Sequence, residues 1–126
     1  MSNKFSFSEY KKIISYYLAE LEITKIENIN KRIKKFFFIR HDVEFSILRA
    51  FDLAKFEKEN LGIKTNYFFQ IKNNCYNLIS NKNIELVKKI QKMGHNIAIP
   101  IECVNVNSYN ELKKNFDIIN KNTPLP

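Results

Sequence analysis

The sequence lacks several features that would place it in a specialised class of protein. No apolar run approaches the roughly 18–20 residues that span a bilayer, so no transmembrane helix or membrane partner is predicted. The opening residues, MSNKFSFSEYKK, contain no apolar core followed by small residues, which argues against export and predicts a cytoplasmic protein. Cys75 and Cys103 form no CxxC pair, which predicts two reduced structural thiols instead of a disulfide framework.

Arginine is also scarce, although the formal net charge is +8. Only three arginines are present, and the excess of lysine is spread along the chain. Because base recognition relies on arginine forks and phosphate binding on clustered cations, we do not expect nucleic acid to be a partner. The cluster KRIKK at 31–35 favours a solvated connector, and a small basic nucleic-acid-binding module stays open as a further hypothesis.

The composition that remains indicates one globular domain with alternating strands and helices. A length of 126 residues is enough for one core and too short for two, and 44% hydrophobic residues argue against disorder. Because strands that alternate with helices of this length form parallel sheets, we expect an α/β fold with a parallel sheet. The predicted segments are helix 8–21 capped by Ser8, strand 36–40, helix 47–61 capped by Ser46 and ended by Gly62, strand 63–71, helix 84–93 ended by Gly94, strand 96–101 and helix 108–120.

A cluster of ionisable residues follows the first predicted strand. The stretch FFFIRHDVEFS runs from four apolar residues directly into Arg40, His41, Asp42 and Glu44. Since ligands of parallel sheets gather beyond the carboxyl ends of the strands, this cluster is the candidate site. Carboxylates two residues apart on a strand point to the same side, which suits a divalent metal, or a metal ligand beside a general base. The spacing leaves open a structural alternative, in which Asp42 caps a turn and Glu44 pairs with Arg40 or Arg49.

Several short motifs occur in order and at consistent intervals. They are RHDVEFS at 40–46, LGIKTNYFF at 61–69, CYNLISNKN at 75–83 and MGHNIAIPIE at 93–102. Together they resemble the N-terminal part of a polysaccharide deacetylase domain (NodB homology, carbohydrate esterase family 4), in the branch that carries RHDVD, GIKATYFF, FYN and GHEIGLH. The resemblance covers about residues 5–102, and we expect residues 1–126 to form one truncated domain of this type.

The resemblance implies both a fold and an activity. The fold would be a partial (β/α) barrel of about three βα units, preceded by an N-terminal helix. The activity would be hydrolysis of an acetamide on an N-acetylated sugar with a divalent metal, usually zinc. By position, Asp42 would match the catalytic base and Glu44 the Asp that binds the metal. Arg40, His41 and Tyr76 would contact the acetylated carbohydrate, with a packing role in the loop as the alternative for Tyr76.

The sequence departs from the family pattern where the metal would bind. Glu44 has a longer side chain than the family's Asp, by about 1.5 Å. Pro100 stands where the family has its first metal-binding His, and no histidine follows it. His95 matches the non-ligating His of the GHE turn. We therefore expect zinc to bind weakly or not at all.

The length also departs from the family, because a closed barrel of this kind takes about 200 residues or more. The expected function is consequently that of a deacetylase-like protein that is catalytically inactive or incomplete. The alternative is an active enzyme completed in trans, by a homo-oligomer or by a second chain that carries the missing strands and histidines.

Overall fold

The structure, a computed structural model, describes residues 5–24, 35–71, 73–99, 110 and 114. These residues form a mixed α/β arrangement with three α-helices and two small parallel sheets. No helix within these ranges is both long enough and apolar enough to cross a bilayer. In chain order the elements are α1 (Phe7–Leu18), β1 (Glu22–Ile23), β2 (Phe36–Phe37), β3 (Arg40–Val43), α2 (Ile47–Phe56), a π-helical turn (Glu57–Leu61), β4 (Asn66–Phe69), α3 (Asn81–Lys92) and β5 (Asn96–Ala98).

Helix α1 begins at Phe7 because Ser6 caps it. The Ser6 hydroxyl accepts a hydrogen bond from the Glu9 backbone N–H at 3.2 Å, and the Glu9 carboxylate accepts one from the Ser6 N–H at 2.9 Å. This reciprocal pair is a capping box, which satisfies two backbone donors that would otherwise lack partners. The prediction that Ser8 caps the helix is therefore wrong, and the helix also ends earlier than predicted, at Leu18.

The apolar run before the candidate site is not one buried strand. Phe36 and Phe37 pair in parallel with β1, a strand that the sequence analysis did not predict. The strand of the larger sheet begins at Arg40. The predicted strand 36–40 is wrong because the chain changes its hydrogen-bonding neighbour in between: the Ile39 carbonyl accepts bonds from both the backbone and the side chain of Asn66. His41 and Asp42 consequently lie inside a strand, not beyond its end.

The larger sheet has the order β3-β4-β5, and both pairings are parallel. The predicted parallel sheet is thus confirmed, although its strands are shorter than predicted. All four residues of β4 are buried, as expected for a central strand covered on both faces. Tyr67 lies beside His41 on one neighbour and beside Ile97 on the other, while Phe68 lies beside Asp42 and Ala98.

The two faces of this sheet pack against different groups. One face forms the main core with α2 and α3, and its buried members include Tyr67, Phe69, Ile97, Ile47, Ala54, Val87 and Ile90. Phe68 and Ala98 belong to a separate cluster with Phe38. Side chains that alternate along β3 therefore enter two different environments.

Some of the predicted helix ends are confirmed by the structure and others are shifted along the chain. Ser46 caps α2 and Gly62 ends the π-helical turn with a φ of 63°, as predicted. Helix α3 begins at Asn81 with Ser80 as its cap, three residues before the predicted start at Ile84. Pro100, Cys103 and the predicted helix 108–120 lie outside the described residues, apart from isolated positions in that helix.

The capping box gives a test of where α1 begins. Replacing Ser6 with Ala removes the acceptor of the Glu9 N–H, so we expect a loss of about 1 kcal/mol in the local stability of the first turn. Amide hydrogen exchange at Glu9 and Tyr10, whose N–H groups bond to Ser6, should then accelerate about fivefold. Ser8→Ala is the matched control and should leave exchange unchanged. The opposite pattern would place the cap at Ser8.

Candidate functional site

Arg40 and Asp42 lie on the face of β3 that carries the Phe68 cluster. The Arg40 Nε donates to Asp42 Oδ1 at 2.7 Å, and the guanidinium lies 4.1 Å above the centre of the Phe68 ring. The Asp42 side chain is half exposed, at 50%. The predicted catalytic base is thus reachable from solvent but held in an ion pair.

The structural alternative, in which Asp42 caps a turn and Glu44 pairs with an arginine, is wrong. Arg40 pairs with Asp42, and Arg49 pairs with Asp52 at 3.7 Å. Neither arginine is paired with Glu44 among the described residues. Asp42 lies within β3, so it does not cap a turn.

His41 points to the opposite face of the sheet from its neighbours. Its Nε2 lies 3.1 Å from the buried Glu57 carboxylate. Its ring centre is 4.7 Å from that of Tyr67 and 6.2 Å from that of Tyr10. The two predicted carbohydrate contacts, Arg40 and His41, are therefore directed to different faces of β3.

Two cavities meet at the end of β3, and both are lined by Glu44 and Phe45. One, of about 500 Å³, extends along β3 and the start of α2 and includes Arg40 and Asp42 in its walls. The other, of about 720 Å³, lies over the loop after β4. The Phe45 side chain, which lines both cavities, is 75% exposed. The larger cavity has an amide-rich lining of Gln70, Asn73, Asn74 and Asn77, together with Ile71, Cys75 and Tyr76.

Tyr76 attaches the loop after β4 to the end of β3. Its hydroxyl donates to the Val43 carbonyl at 2.6 Å and accepts from the Gln70 N–H at 2.9 Å. Burial raises the pKa of this phenol above its ordinary value. The geometry supports the packing role for Tyr76, while its place in the cavity lining keeps carbohydrate contact as a prediction. Its neighbour Cys75 is exposed, so the prediction of a structural thiol is wrong there.

A buried carboxylate behind the strand was missed by the sequence analysis. Glu57 is fully buried, and its two oxygens accept hydrogen bonds from four side chains. Oε2 accepts from Tyr10 at 2.8 Å and lies 3.1 Å from His41 Nε2, while Oε1 accepts from Thr65 at 3.0 Å and from Tyr67. The sequence did contain a signal, because position 57 continues the inner face of α2 three residues after Ala54.

The pKa values in this cluster follow from burial and from the shared carboxylate. Burial raises the pKa of Glu57, but the hydrogen bond and charge of His41 and the bonds from Tyr67 and Tyr10 outweigh it, so the net pKa lies below the ordinary value. Burial, followed by the charge of Glu57, raises the pKa of Tyr10 and Tyr67. Glu57 is therefore an anion surrounded by neutral phenols.

His95 is a second buried group with a structural task. Its Nδ1 accepts from the Thr65 N–H at 3.0 Å, and its Nε2 lies 2.9 Å from the Ala54 carbonyl. Because a carbonyl only accepts, the ring carries its proton on Nε2 and is neutral. Burial lowers the pKa of His95, which agrees with this tautomer.

The described residues do not fit the zinc centre that the family resemblance implies. The chain has two histidines, and both make the internal hydrogen bonds described above. Within the part of the chain that the structure describes, no three His, Cys, Asp or Glu side chains lie close enough together to hold a metal ion. Catalytic zinc takes nitrogen donors in most known sites, and the exposed Glu44 has none beside it on its face of the sheet.

No protein-family model matches the chain, nor does any curated protein or solved structure. The resemblance to the polysaccharide deacetylases therefore rests on the sequence motifs alone.

The role of Tyr76 can be separated from substrate contact by a stability measurement. Tyr76→Phe removes a hydroxyl that serves two backbone groups, so we expect a loss of about 1–3 kcal/mol in the free energy of unfolding by urea. Tyr16→Phe, at a tyrosine that is 69% exposed, is the control and should change that free energy by less than about 0.5 kcal/mol. An unchanged stability in Tyr76→Phe would leave carbohydrate contact as its role.

His95 predicts a dependence of stability on pH. Its pKa in the folded state lies below the ordinary value of 6.5, so the unfolded chain takes up the proton first as the pH falls. Folding stability is then lost progressively from about pH 6.5 downwards. We expect the stability difference between the wild-type protein and His95→Gln to shrink between pH 7 and pH 5, as followed by urea unfolding. A difference that stays constant over this range would contradict a neutral buried His95.

Proposed function

We propose that the chain is a polysaccharide deacetylase-like domain that binds an acetylated carbohydrate without hydrolysing it. The observation that carries the proposal is the amide-lined cavity of about 720 Å³ at the end of β3, with the exposed ring of Phe45 on its rim.

The location of the cavity supports a ligand site. It is lined by Glu44 and Phe45, which directly follow β3, and by Gln70 and Ile71, which directly follow β4. The carboxyl ends of adjacent parallel strands are where ligands gather in α/β folds. The cavity falls within the size range of pockets that hold small molecules.

The lining has the chemistry that a sugar requires. Amide side chains offer both donors and acceptors, which match hydroxyl groups and the acetamide of an N-acetylated sugar. Asn73 orders this lining, because its Nδ2 donates to the Glu44 carbonyl and to Gln70 Oε1 at 2.8 Å each. Its Oδ1 accepts from the Cys75 N–H at 2.6 Å. A lining that is already ordered costs less to immobilise on binding. An exposed aromatic ring such as Phe45 provides an apolar surface for the C–H face of a pyranose.

The same residues support a domain that does not hydrolyse its ligand. Asp42, in the position of the family's base, is bound to Arg40. His41 bonds to Glu57 on the other face, so Glu44 gains no imidazole beside it. A hydrolysis that depends on metal-activated water lacks its ligands in the described residues.

The arrangement of the sheet supports the partial barrel that the resemblance implies. Helices α2 and α3 cover one face of the sheet, as helices cover the outside of a (β/α) barrel. Arg40, Asp42 and Phe68 are directed to the other face, which would be the interior.

Carbohydrate titration tests the proposal. We expect an N-acetylglucosamine tetramer to bind, as followed by calorimetry, and the corresponding glucosamine tetramer to bind at least about tenfold more weakly, because it lacks the acetamide. Phe45→Ala should weaken binding of the acetylated tetramer about tenfold, a change of about 1.4 kcal/mol. Phe5→Ala, at a phenylalanine that is also well exposed but precedes the Ser6 cap of α1, is the matched control and should bind normally.

The same samples should be assayed for acetate release with added zinc. Binding without acetate is the expected result. Acetate release that rises with protein concentration would favour the enzyme completed in trans by an oligomer. Equal affinity for both tetramers, or no binding to either, would overturn the proposed function.

A further inference from the structure

Helix α1 lies beside the main core without taking part in it. The core cluster formed by α2, α3 and the larger sheet includes no residue of α1. Ile14 is the one buried residue among those of α1. The main core is therefore formed without residues of this helix.

Few contacts attach α1 to the rest of the described chain. The rings of Phe7 and Phe56 lie 4.7 Å apart, and those of Tyr17 and Phe37 lie 6.0 Å apart. The Tyr10 hydroxyl donates to Glu57 Oε2 at 2.8 Å. Among the described residues, this is the side-chain hydrogen bond that connects α1 to another element.

The Glu57 carboxylate can hold all four neighbours only while it is ionised. Each oxygen has two donors, so every lone pair that a carboxylate offers is in use. The titratable groups that face it are Tyr10 from α1, His41 from β3 and Tyr67 from β4. His95 is connected to it through Thr65, whose backbone N–H donates to His95 Nδ1 and whose hydroxyl donates to Glu57. Lys58 follows Glu57 in the chain. A proton on Glu57 would need one of these lone pairs and would displace a donor.

Tyr10 is the donor with the least support. Thr65 and Tyr67 are fully buried and belong to the segment that enters the central strand. His41 is held within β3 by the pairing of that strand with β4. Tyr10 is only partly buried and belongs to the helix outside the core.

We propose that α1 is a strap that the ionised Glu57 holds in place and that protonation of Glu57 releases. Release takes the Tyr10 ring away from His41 and opens the back of β3, the strand that carries Asp42 into the candidate site. The release of α1 does not depend on which ligand binds in the cavity.

The pH range follows from the sign of the Glu57 shift. Burial raises the pKa of Glu57, but the surrounding donors and the charge of His41 lower it by more, so that the net pKa lies below the ordinary 4.5. The hydrogen bonds to the ionised Glu57 are complete above the ordinary pKa of 4.5. They are lost as the pH falls through the lower pKa that Glu57 has in the folded state. We therefore expect α1 to be released only at acidic pH.

Hydrogen exchange on the full chain tests the strap. Between pH 7 and pH 3.5, with intrinsic exchange rates corrected for pH, the hydrogen-bonded amides of residues 10–18 should lose protection at a higher pH than those of α2 and α3. Tyr10→Phe should reproduce this at pH 7, with exchange in α1 at least about tenfold faster and exchange in α2 unchanged. Glu57→Gln should behave in the same way if it folds, and Tyr10→Phe carries the test if it does not.

Two control variants lie on the same elements as Tyr10 and Glu57 but do not take part in the hydrogen bond between them. Tyr16→Phe lies on the same helix and Glu59→Gln lies on the same π-helical turn, and both positions are exposed. Neither should change α1 at pH 7. Loss of protection in α1 and α2 at the same pH, or normal exchange of α1 in Tyr10→Phe, would overturn the proposal.

Discussion

The buried carboxylate of Glu57 joins the segments that surround the candidate site. A charge without water is costly unless it is fully hydrogen-bonded, and here α1, β3, β4 and the residue before β4 each supply a donor. Loss of the carboxylate would leave the buried hydroxyls of Thr65 and Tyr67 without their acceptor, so the cost extends beyond one bond. The π-helical turn that begins at Glu57 ends α2 at the point where these segments meet.

This cluster also determines which chemistry remains at the edge of the sheet. Glu57 bonds His41 on the helix-covered face, and Thr65 donates its hydroxyl to the same carboxylate and its backbone N–H to His95 Nδ1. With both imidazoles in use, the open end of β3 presents carboxylates, amides and the exposed ring of Phe45. Such groups recognise hydroxyl and acetamide groups, and they do not make a zinc site. The proposed binding without hydrolysis follows from this division between the two faces of β3.

The parts of the fold that the sequence predicts are those with local causes. Ser46 and Gly62 mark the ends of one helical segment because a cap and a left-handed glycine act on their own neighbours. The start of β3 at Arg40 was not predictable in the same way. It depends on the pairing of β3 with β4, in which Arg40 lies beside Asn66, and these residues are far apart in the sequence. Glu57 was missed for the same reason, because its partners Tyr10 and Tyr67 are 47 and 10 residues away along the chain. The motifs that resemble the deacetylases select Asp42 and Glu44 as candidates, and this selection stays a prediction, while the ion pair of Asp42 with Arg40 is visible only in the structure.

Both imidazoles make internal hydrogen bonds, and we infer that they stabilise the fold and do not bind a metal. Nitrogen NMR of the two imidazoles, recorded on labelled protein before and after addition of zinc, tests this inference. We expect His95 to be neutral with its proton on Nε2, and a stoichiometric amount of zinc to change neither ring. A zinc-dependent shift of either imidazole at that amount, or a His95 ring protonated on Nδ1, would contradict it.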